Sequence, residues 1–545
     1  MTFNAKLKKK QYKEIWEEYC GFLDMDIQAY MQMQHRLMDE QLKIWMNSGL
    51  GQQLLANKRI DSVEAFRREM PFTQYEDYAD YLLQKRDDLL PAPAVLWIQT
   101  TWEGGCNPIK RAPYTKGMLD AFSHNLLAAF VLSRTTEKGV FHMSSFETVL
   151  HGFAPMPYLT GLIPLVMSDE TSLELVPSAK VAESLSFSEK NKLGFKLGLS
   201  SGIDYFFSMG SVAYHISKSI GAMSSKKSGK SSGSKLPIRV ILKVLRANAR
   251  CKKENRELLP KDLYNLKSFI CAGTDNARYK DALEQMWGVR PLEIFMGTEP
   301  TCLGTETWNR DGMYFFPDAC FYEFIPESEM LKSFADEAYI PKSYLMDQVI
   351  VGEKYELVIT NFKGGAFARY RVGDVYRCVG LSSIHDDTKI PRFEFIDRIP
   401  TVIDIAGFTR ITEKSIQRAI DLSQLSIVDW FAAKEFNEEG HPYLHFYAEI
   451  SKDSIASHAI SAQVVKDHLT IYFKYIDHDY EDLKKILGMD PLLVTIVRCG
   501  TFRNFTLKTG AIMQRINPPS YDISAFLNSQ NTQYAYDLRE EVSHG

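Results

Sequence analysis

The sequence predicts an α/β protein of two domains: a large multi-sheet N-terminal domain over residues 1–396 and a small α+β domain over 401–545, joined by a hinge at 397–400. Three observations predict it. A chain of 545 residues is too long for one ordinary domain. Between 116 and 300, helical patterns alternate with short apolar runs, as expected of a layered sheet with covering helices. After Pro391, the strand Phe393-Glu-Phe-Ile396 leads into Asp397-Arg398-Ile399-Pro400, where the pattern changes.

Bulk properties narrow the class of partner. Hydrophobic residues at 45% and charged residues at 24% are ordinary for a globular protein. A net charge of −4, spread over both signs, gives no electrostatic reason to expect nucleic acid or an anionic membrane. The basic start Lys6 to Lys10 is followed by no apolar stretch, and Leu126 to Leu132 is too short to span a bilayer. The eight cysteines show no C-x-x-C pair, which fits reduced thiols in a cytoplasm. The expectation is a cytoplasmic protein acting on small molecules, with no nucleic-acid and no membrane partner.

Residues 8–86 read as scaffold helices, with Ile15, Tyr19, Phe22, Met33, Leu37, Leu42 and Trp45 at spacings of three to five. Val95 to Gln99 reads as a buried strand that opens into a loop at Thr100-Thr101. The runs Leu162 to Met167, Tyr205 to Met209 and Ser268 to Ala272 supply the apolar half of the α/β alternation. Ser224 to Lys235 is a polar, basic surface loop. Its Gly229-Lys230-Ser231 lacks the first glycine of a phosphate-binding P-loop, since Ser224 stands there.

Lys354 to Thr360 and Ala368 to Arg371 read as two strands joined through Gly364-Gly365, with Gly373-Asp374 closing the second. Beyond the hinge come a strand at Val402 to Ile405, a helix from Thr412 to Leu422, and a hairpin of Val428 to Phe436 with Tyr443 to Ile450. Helices at Ser457 to Ile476 and Glu481 to Leu487 and a strand at Leu492 to Val497 complete a compact lid.

Several of these stretches carry a resemblance. Val351-Gly-Glu-Lys-Tyr-Glu-Leu-Val-Ile-Thr360, Gly365 and Arg369-Tyr-Arg-Val-Gly-Asp-Val375 resemble the G-x-x-Y-E-L-V-x-T and Y-R-x-G-D-V signatures of the auxin-responsive acyl-acid amido synthetases, a branch of the adenylate-forming superfamily. Phe295-Met-Gly-Thr-Glu299, Phe395-Ile-Asp-Arg398, Asp404-Ile-Ala-Gly407 and Gly500-Thr-Phe502 are similar to further motifs, so the likeness runs from about residue 90 to the C-terminus. It implies a large adenylate-forming domain with a rotating lid and ATP and Mg²⁺ as cofactors. The implied reaction is two-step: a small carboxylic acid is adenylated, and an amine or amino acid then captures the acyl group as an amide.

The resemblance also assigns roles. Asp374 would accept the ribose hydroxyls, its plain alternative being a strand-end turn residue. Glu299 would hold Mg²⁺ and serve catalysis, with Thr298 donating to phosphate. Thr100, Thr101, Gly104, Gly105 and Lys110 would form the phosphate loop. Arg398 would contact the ribose or form an interdomain salt bridge, and Gly273-Thr-Asp275 would lie near the nucleotide or be a turn.

Four positions depart from the family pattern. Trp102 and Glu103 replace small residues in the phosphate loop, and Pro300 follows Glu299 where glycine is usual. Ile516 occupies the position of the catalytic lid lysine in Gln514-Arg-Ile-Asn-Pro-Pro519, leaving Arg515 and Lys508 as the candidate catalytic cations. Two alternatives stay open: a non-catalytic member that binds a nucleotide, an acyl compound or a protein, and an acyl-CoA or acyl-carrier ligase.

Overall fold

The alternation of apolar runs and helices builds one long sheet in the computed structural model, which describes residues 1–100, 109–182, 184–185, 187–225, 237–274, 276–407, 409–450, 462–476 and 490–530. Its strands are β1 (Thr148–His151), β2 (Glu174–Val176), β3 (Tyr205–Met209), β4 (Ser268–Ala272), β5 (Leu292–Gly297), β6 (Thr301–Glu306), β7 (Met313–Phe315), β8 (Cys320–Pro326), β9 (Lys354–Asn361), β10 (Tyr370–Gly380) and β11 (Arg392–Arg398). They lie in the order β8-β9-β10-β11-β7-β6-β5-β4-β3-β1-β2.

The β2-β1-β3-β4-β5 half is parallel. Parallel strands need long crossovers, here supplied by helices Phe187–Ser201, Gly210–Ser225, Ile238–Lys253 and Asn276–Trp287. Burial on both faces explains why Ser268–Ala272 is buried at every position and reads as an unbroken run. From β5 through β6 and β7 to β11 the pairing turns antiparallel, as it is among β8, β9 and β10. Among the described residues before Asp397, two short antiparallel pairs, Leu96–Gln99 with Arg111–Tyr114 and Thr135–Glu137 with Val140–Phe141, lie outside this sheet.

The N-terminal helices act on the β9–β10 connection. Helix Ile27–Met46 starts at Asp26, whose carboxylate accepts from Ala29 N at 2.8 Å. Its buried Gln41 and Trp45 both donate to Gly365 O at 3.1 Å, and Gln41 accepts from Gly364 N at 2.8 Å. Gly364 has φ +83°, a conformation glycine adopts without strain. The polar groups of a buried turn are thereby satisfied from a helix more than 300 residues away.

One compact unit comprises Met1–Thr100 with Lys110–Asp397; the second comprises Ile109 and the described residues from Arg398 onward. The second holds β12 (Val402–Ile405), β13 (Thr409–Thr412) and a three-stranded sheet of β14 (Ile427–Phe436), β15 (Pro442–Ile450) and β16 (Leu492–Val497). β14 and β15 are antiparallel, while β15 and β16 are parallel around helix Ala462–Ile476.

Three sequence expectations need correction. The strand read at Val95 to Gln99 is not a buried one: it runs from Leu96 to Gln99 with only Ile98 buried, and Val95 is 55% exposed. Leu162 to Met167 is not a strand: it lies inside helix Leu159–Glu170, which accommodates Pro164. Gly373-Asp374 does not close a strand, since β10 runs on to Gly380. The expected helix Glu481 to Leu487, residues 457–461, and Gly229-Lys230-Ser231 lie outside the described residues.

Candidate active site

Ligands of parallel α/β sheets bind beyond the carboxyl ends of the strands, and β5 ends there with Gly297. The next residues, Thr298-Glu299-Pro300, turn the chain into β6. All three turn carbonyls accept from side chains of other elements. Tyr114 OH donates to Thr298 O at 2.8 Å, Asn361 Nδ2 to Glu299 O at 2.9 Å, and the Cys320 thiol to Pro300 O at 3.4 Å. Pro300 tightens the turn: a Cβ on Gly297 would lie 2.7 Å from its Cγ. The backbone that carries Glu299 is therefore fixed from several directions.

The Glu299 side chain is buried, at 6% exposure. Its Oε1 accepts from Tyr370 OH at 2.8 Å and lies 3.5 Å from Lys110 Nζ, which itself donates to Tyr370 OH at 3.2 Å. Lys110 also stands 5.4 Å from the ring centre of Tyr75. Burial, and then the negative charge of Glu299, push the Tyr370 phenol well above its ordinary pKa, so it remains a donor. Burial likewise lifts Tyr75 to about 12 against the hydrogen bond from Arg111 N. Among the described residues, Glu299 Oε2 takes no hydrogen bond, which leaves one oxygen held and one able to bind a cation.

Thr100 and Lys110 pair across the two ends of segment 101–109. Thr100 N donates to Lys110 O at 3.0 Å, and Lys110 N to Thr100 Oγ1 at 3.2 Å. The sequence-predicted Thr101, Gly104 and Gly105, with Trp102 and Glu103, lie outside the described residues, as does Asp275.

Asp374 is 1% exposed and sits within β10. Glu356 pairs with Val375 and Val358 with Arg371, so two residues of β9 step oppose four of β10 and the strand bulges at Val372-Gly373-Asp374. Gly373 has φ +80°, the left-handed conformation that such a bulge uses. The Gly-Asp pair thus re-aims a carboxylate in mid-strand. Near it, Phe295 of β5 packs edge-on to Tyr376 of β10 at 5.5 Å and stacks on Phe395 of β11 at 5.6 Å.

In the second unit, Ile516 is 3% exposed and belongs to a core with Ile403, Trp430, Ala432, Leu444 and Phe446. Its flanks are pinned to β14: Ala432 N donates to Arg515 O, and Asn517 N to Ala432 O, both at 2.8 Å. Arg515 pairs with Asp429, donates to Trp430 O at 2.6 Å, and lies over the Trp430 ring at 5.1 Å. Lys508 is exposed in the last turn of helix Thr501–Thr509. Arg398 ends β11 and is partly buried. The structure thus brings Thr100, Lys110, Thr298 and Glu299 into one hydrogen-bonded neighbourhood of the first unit, and sets Lys508 and Arg515 in the second.

Sequence reasoning did not single out Tyr370 or Asn361 as site residues. Tyr370 was visible as the aromatic residue four before Asp374 in the Y-R-x-G-D-V stretch; Asn361 carried no local signal.

Comparison with known families matches residues 313–398, which span β7 to β11, to the GH3 family central domain. That stretch of the chain is similar to a GH3 central domain. The likeness read from the sequence motifs is borne out. A jasmonoyl–L-amino acid synthetase of Oryza sativa subsp. japonica, GH3.5, is 30% identical over 243 residues, or 42% of this chain and 38% of that relative. An indole-3-acetic acid-amido synthetase of Arabidopsis thaliana, GH3.10, is 29% identical over 203 residues, covering 34% and 31%. The chain therefore matches less than half the length of these relatives.

Likeness of fold to solved structures runs over most of the chain. A GH3.15 acyl acid amido synthetase in complex with 2,4-DB aligns over 92% of this chain and 93% of its own, at 17% identity and a TM-score of 0.50. A 2-hydroxyisobutyryl-CoA ligase in complex with 2-HIB-AMP and CoA aligns over 86% of both chains, at 14% identity and a TM-score of 0.56.

Proposed function

We propose that this chain is an ATP-dependent acyl-acid amido synthetase. A small carboxylic acid attacks the α-phosphate of ATP to give an acyl-adenylate and pyrophosphate, and an amine or amino acid then takes the acyl group as an amide and releases AMP. The observation that carries the reading is the Glu299 turn. It sits at the carboxyl end of parallel β5, its carbonyls are held by Tyr114, Asn361 and Cys320, and its carboxylate is held by Tyr370 beside Lys110. The GH3 domain match and the named activities of the relatives support it.

In this reading Thr298 donates to a phosphate oxygen, and Lys110 exchanges the Glu299 carboxylate for the triphosphate, with Thr100, Thr101, Gly104 and Gly105 as further nucleotide contacts. Asp374, aimed by its bulge, accepts the ribose hydroxyls. The domains divide as 1–396 and 401–545, with 397–400 as the hinge and Arg398 as its nucleotide contact.

Mg²⁺ fits the donor set. Glu299 presents one oxygen that takes no hydrogen bond among the described residues, and Mg²⁺ usually binds through one or two carboxylates plus substrate phosphates. Glu299 Oε2 would hold it, and the ion would neutralise charge on the phosphates.

The lid position is where this chain differs. Ile516 supplies no charge, and absence of one preorganised donor slows a step by roughly 10²- to 10³-fold, so adenylation here is slow. A cytoplasmic setting agrees with the seven free described cysteines, six of them buried.

The test is incubation with MgATP, a panel of aryl and aliphatic acids, and an amino acid mixture, read by mass spectrometry. Acid-dependent AMP release with an amide product supports the reading. A thioester formed only with CoA would reassign the acceptor, and ATP binding without turnover of any acid would make the chain a non-catalytic binder.

A further inference from the structure

Helix Ile238–Lys253 is built inside out. The side chains that face the core are Val240, Ala247 and Cys251, each no more than 4% exposed, whereas the largest aliphatic side chains face solvent: Ile238 at 76%, Ile241 at 44%, Leu242 at 45% and Leu245 at 58%. At 100° per residue these four fall within about 100° of arc, one continuous apolar row over the first two turns. Scattered exposed leucines are ordinary, but a row of four on one helix face marks an interaction surface.

The charge beside that row has one sign. Arg239, Lys243, Arg246 and Arg250 occupy the adjoining face, Lys252 and Lys253 end the helix, and the helix contains no Asp or Glu. Of these, Arg250 is tied to Asp262 at 3.0 Å. The wider sequence is biased the same way: eleven Lys and Arg and no Asp or Glu stand between Tyr205 and Lys253, in a chain whose net charge is −4.

We propose that helix Ile238–Lys253 lies in the plane of an anionic lipid surface, its Ile238, Ile241, Leu242 and Leu245 in the headgroup boundary and its cations against lipid phosphates and carboxylates. The combination of a high apolar moment, a basic flank and no acidic residue is that of an interfacial helix. At 16 residues with six cations it lies on the bilayer, and among the described residues no helix is long and apolar enough to cross one. A second copy of the chain is a poorer occupant, because pairing two such helices sets two basic flanks side by side. The whole-chain charge points away from membranes only because acidic residues elsewhere offset this segment.

The experiment is co-flotation of the full chain with vesicles of phosphatidylcholine containing roughly 30% phosphatidylserine, beside pure phosphatidylcholine. Wild type is expected to float with the anionic vesicles only, and to be released as salt shortens the screening length. Leu242→Glu with Leu245→Glu should weaken binding at least about tenfold, and Lys243→Ala with Arg246→Ala about fivefold per cation. These side chains are exposed, so melting curves should match wild type. Three results would overturn the proposal: no flotation, flotation unchanged by the leucine substitutions, or binding to soluble polyglutamate without binding to vesicles. Self-association in sedimentation, abolished by Leu242→Glu and unaccompanied by vesicle binding, would assign the row to a second copy instead.

Discussion

Replacing Ile516 by lysine puts back the residue type expected at the lid position, and the structure predicts that it damages the protein. Ile516 is 3% exposed among Ile403, Trp430, Ala432, Leu444 and Phe446, with Arg515 and Asn517 locked to Ala432 on either side. An ammonium there loses its hydration and gains no carboxylate, so the lysine deprotonates on folding and its folded pKa falls below the unfolded value of about 10.4. With a depressed folded pKa, the penalty at a pH between the two values is about 1.4 kcal/mol per unit below 10.4, or about 4 to 5 kcal/mol at pH 7. It shrinks as the pH rises and approaches zero near pH 10, leaving about 1 to 3 kcal/mol from altered packing. Urea denaturation of wild type and Ile516→Lys, followed by circular dichroism at both pH values, measures the difference. Equal midpoints at pH 7, or a gain of pyrophosphate exchange in the variant, would refute the placement of this side chain in the core.

Three further outcomes follow from the site and its supports. Gly373→Ala should cost about 1 to 2 kcal/mol through its φ of +80° and should weaken ATP binding in calorimetry by disturbing the bulge that aims Asp374. Glu323 accepts from Arg369 at 2.9 and 3.0 Å, from Arg67 at 3.1 Å and from Ser343 at 2.7 Å. Burial opposes its ionised form, yet Arg369, Arg67 and Ser343 together hold its pKa below the ordinary value. Its contribution is therefore present above the unfolded pKa of about 4.3 and is lost as the pH falls through the folded value. Urea midpoints should drop below about pH 4 in wild type, while Glu323→Gln should already be about 3 to 5 kcal/mol less stable at pH 7. Tyr370→Phe should raise the Mg²⁺ concentration needed for half-maximal exchange about tenfold or more, since a hydrogen bond to a charged group contributes about 1.5 to 3 kcal/mol.

The elements legible in the sequence were those built on an unbroken run of apolar and β-branched residues between turn signals. β3, β4 and β16 match their apolar runs residue for residue, and the β14–β15 hairpin agrees to within a residue. Leu162 to Met167 misled because six apolar residues around a proline fit a buried strand and a buried helix equally, and packing chose the helix. Gly373-Asp374 misled because the same dipeptide serves a turn and a bulge, and only the partner strand distinguishes them. Glu299 and Lys110 were readable from motifs, but Asn361 reaches the site from a distant part of the chain with no local signal. The exposed row of helix Ile238–Lys253 was hidden for another reason: whole-chain charge averages over a segment that is wholly basic.

Carboxylate-dependent pyrophosphate exchange in wild type and Glu299→Gln tests the central claim most directly. The account predicts slow exchange in wild type that requires an acid and Mg²⁺ and falls roughly 10²- to 10³-fold in Glu299→Gln, with the fold intact by circular dichroism. Exchange that is unchanged in Glu299→Gln, or absent from wild type with every acid tried, would contradict it.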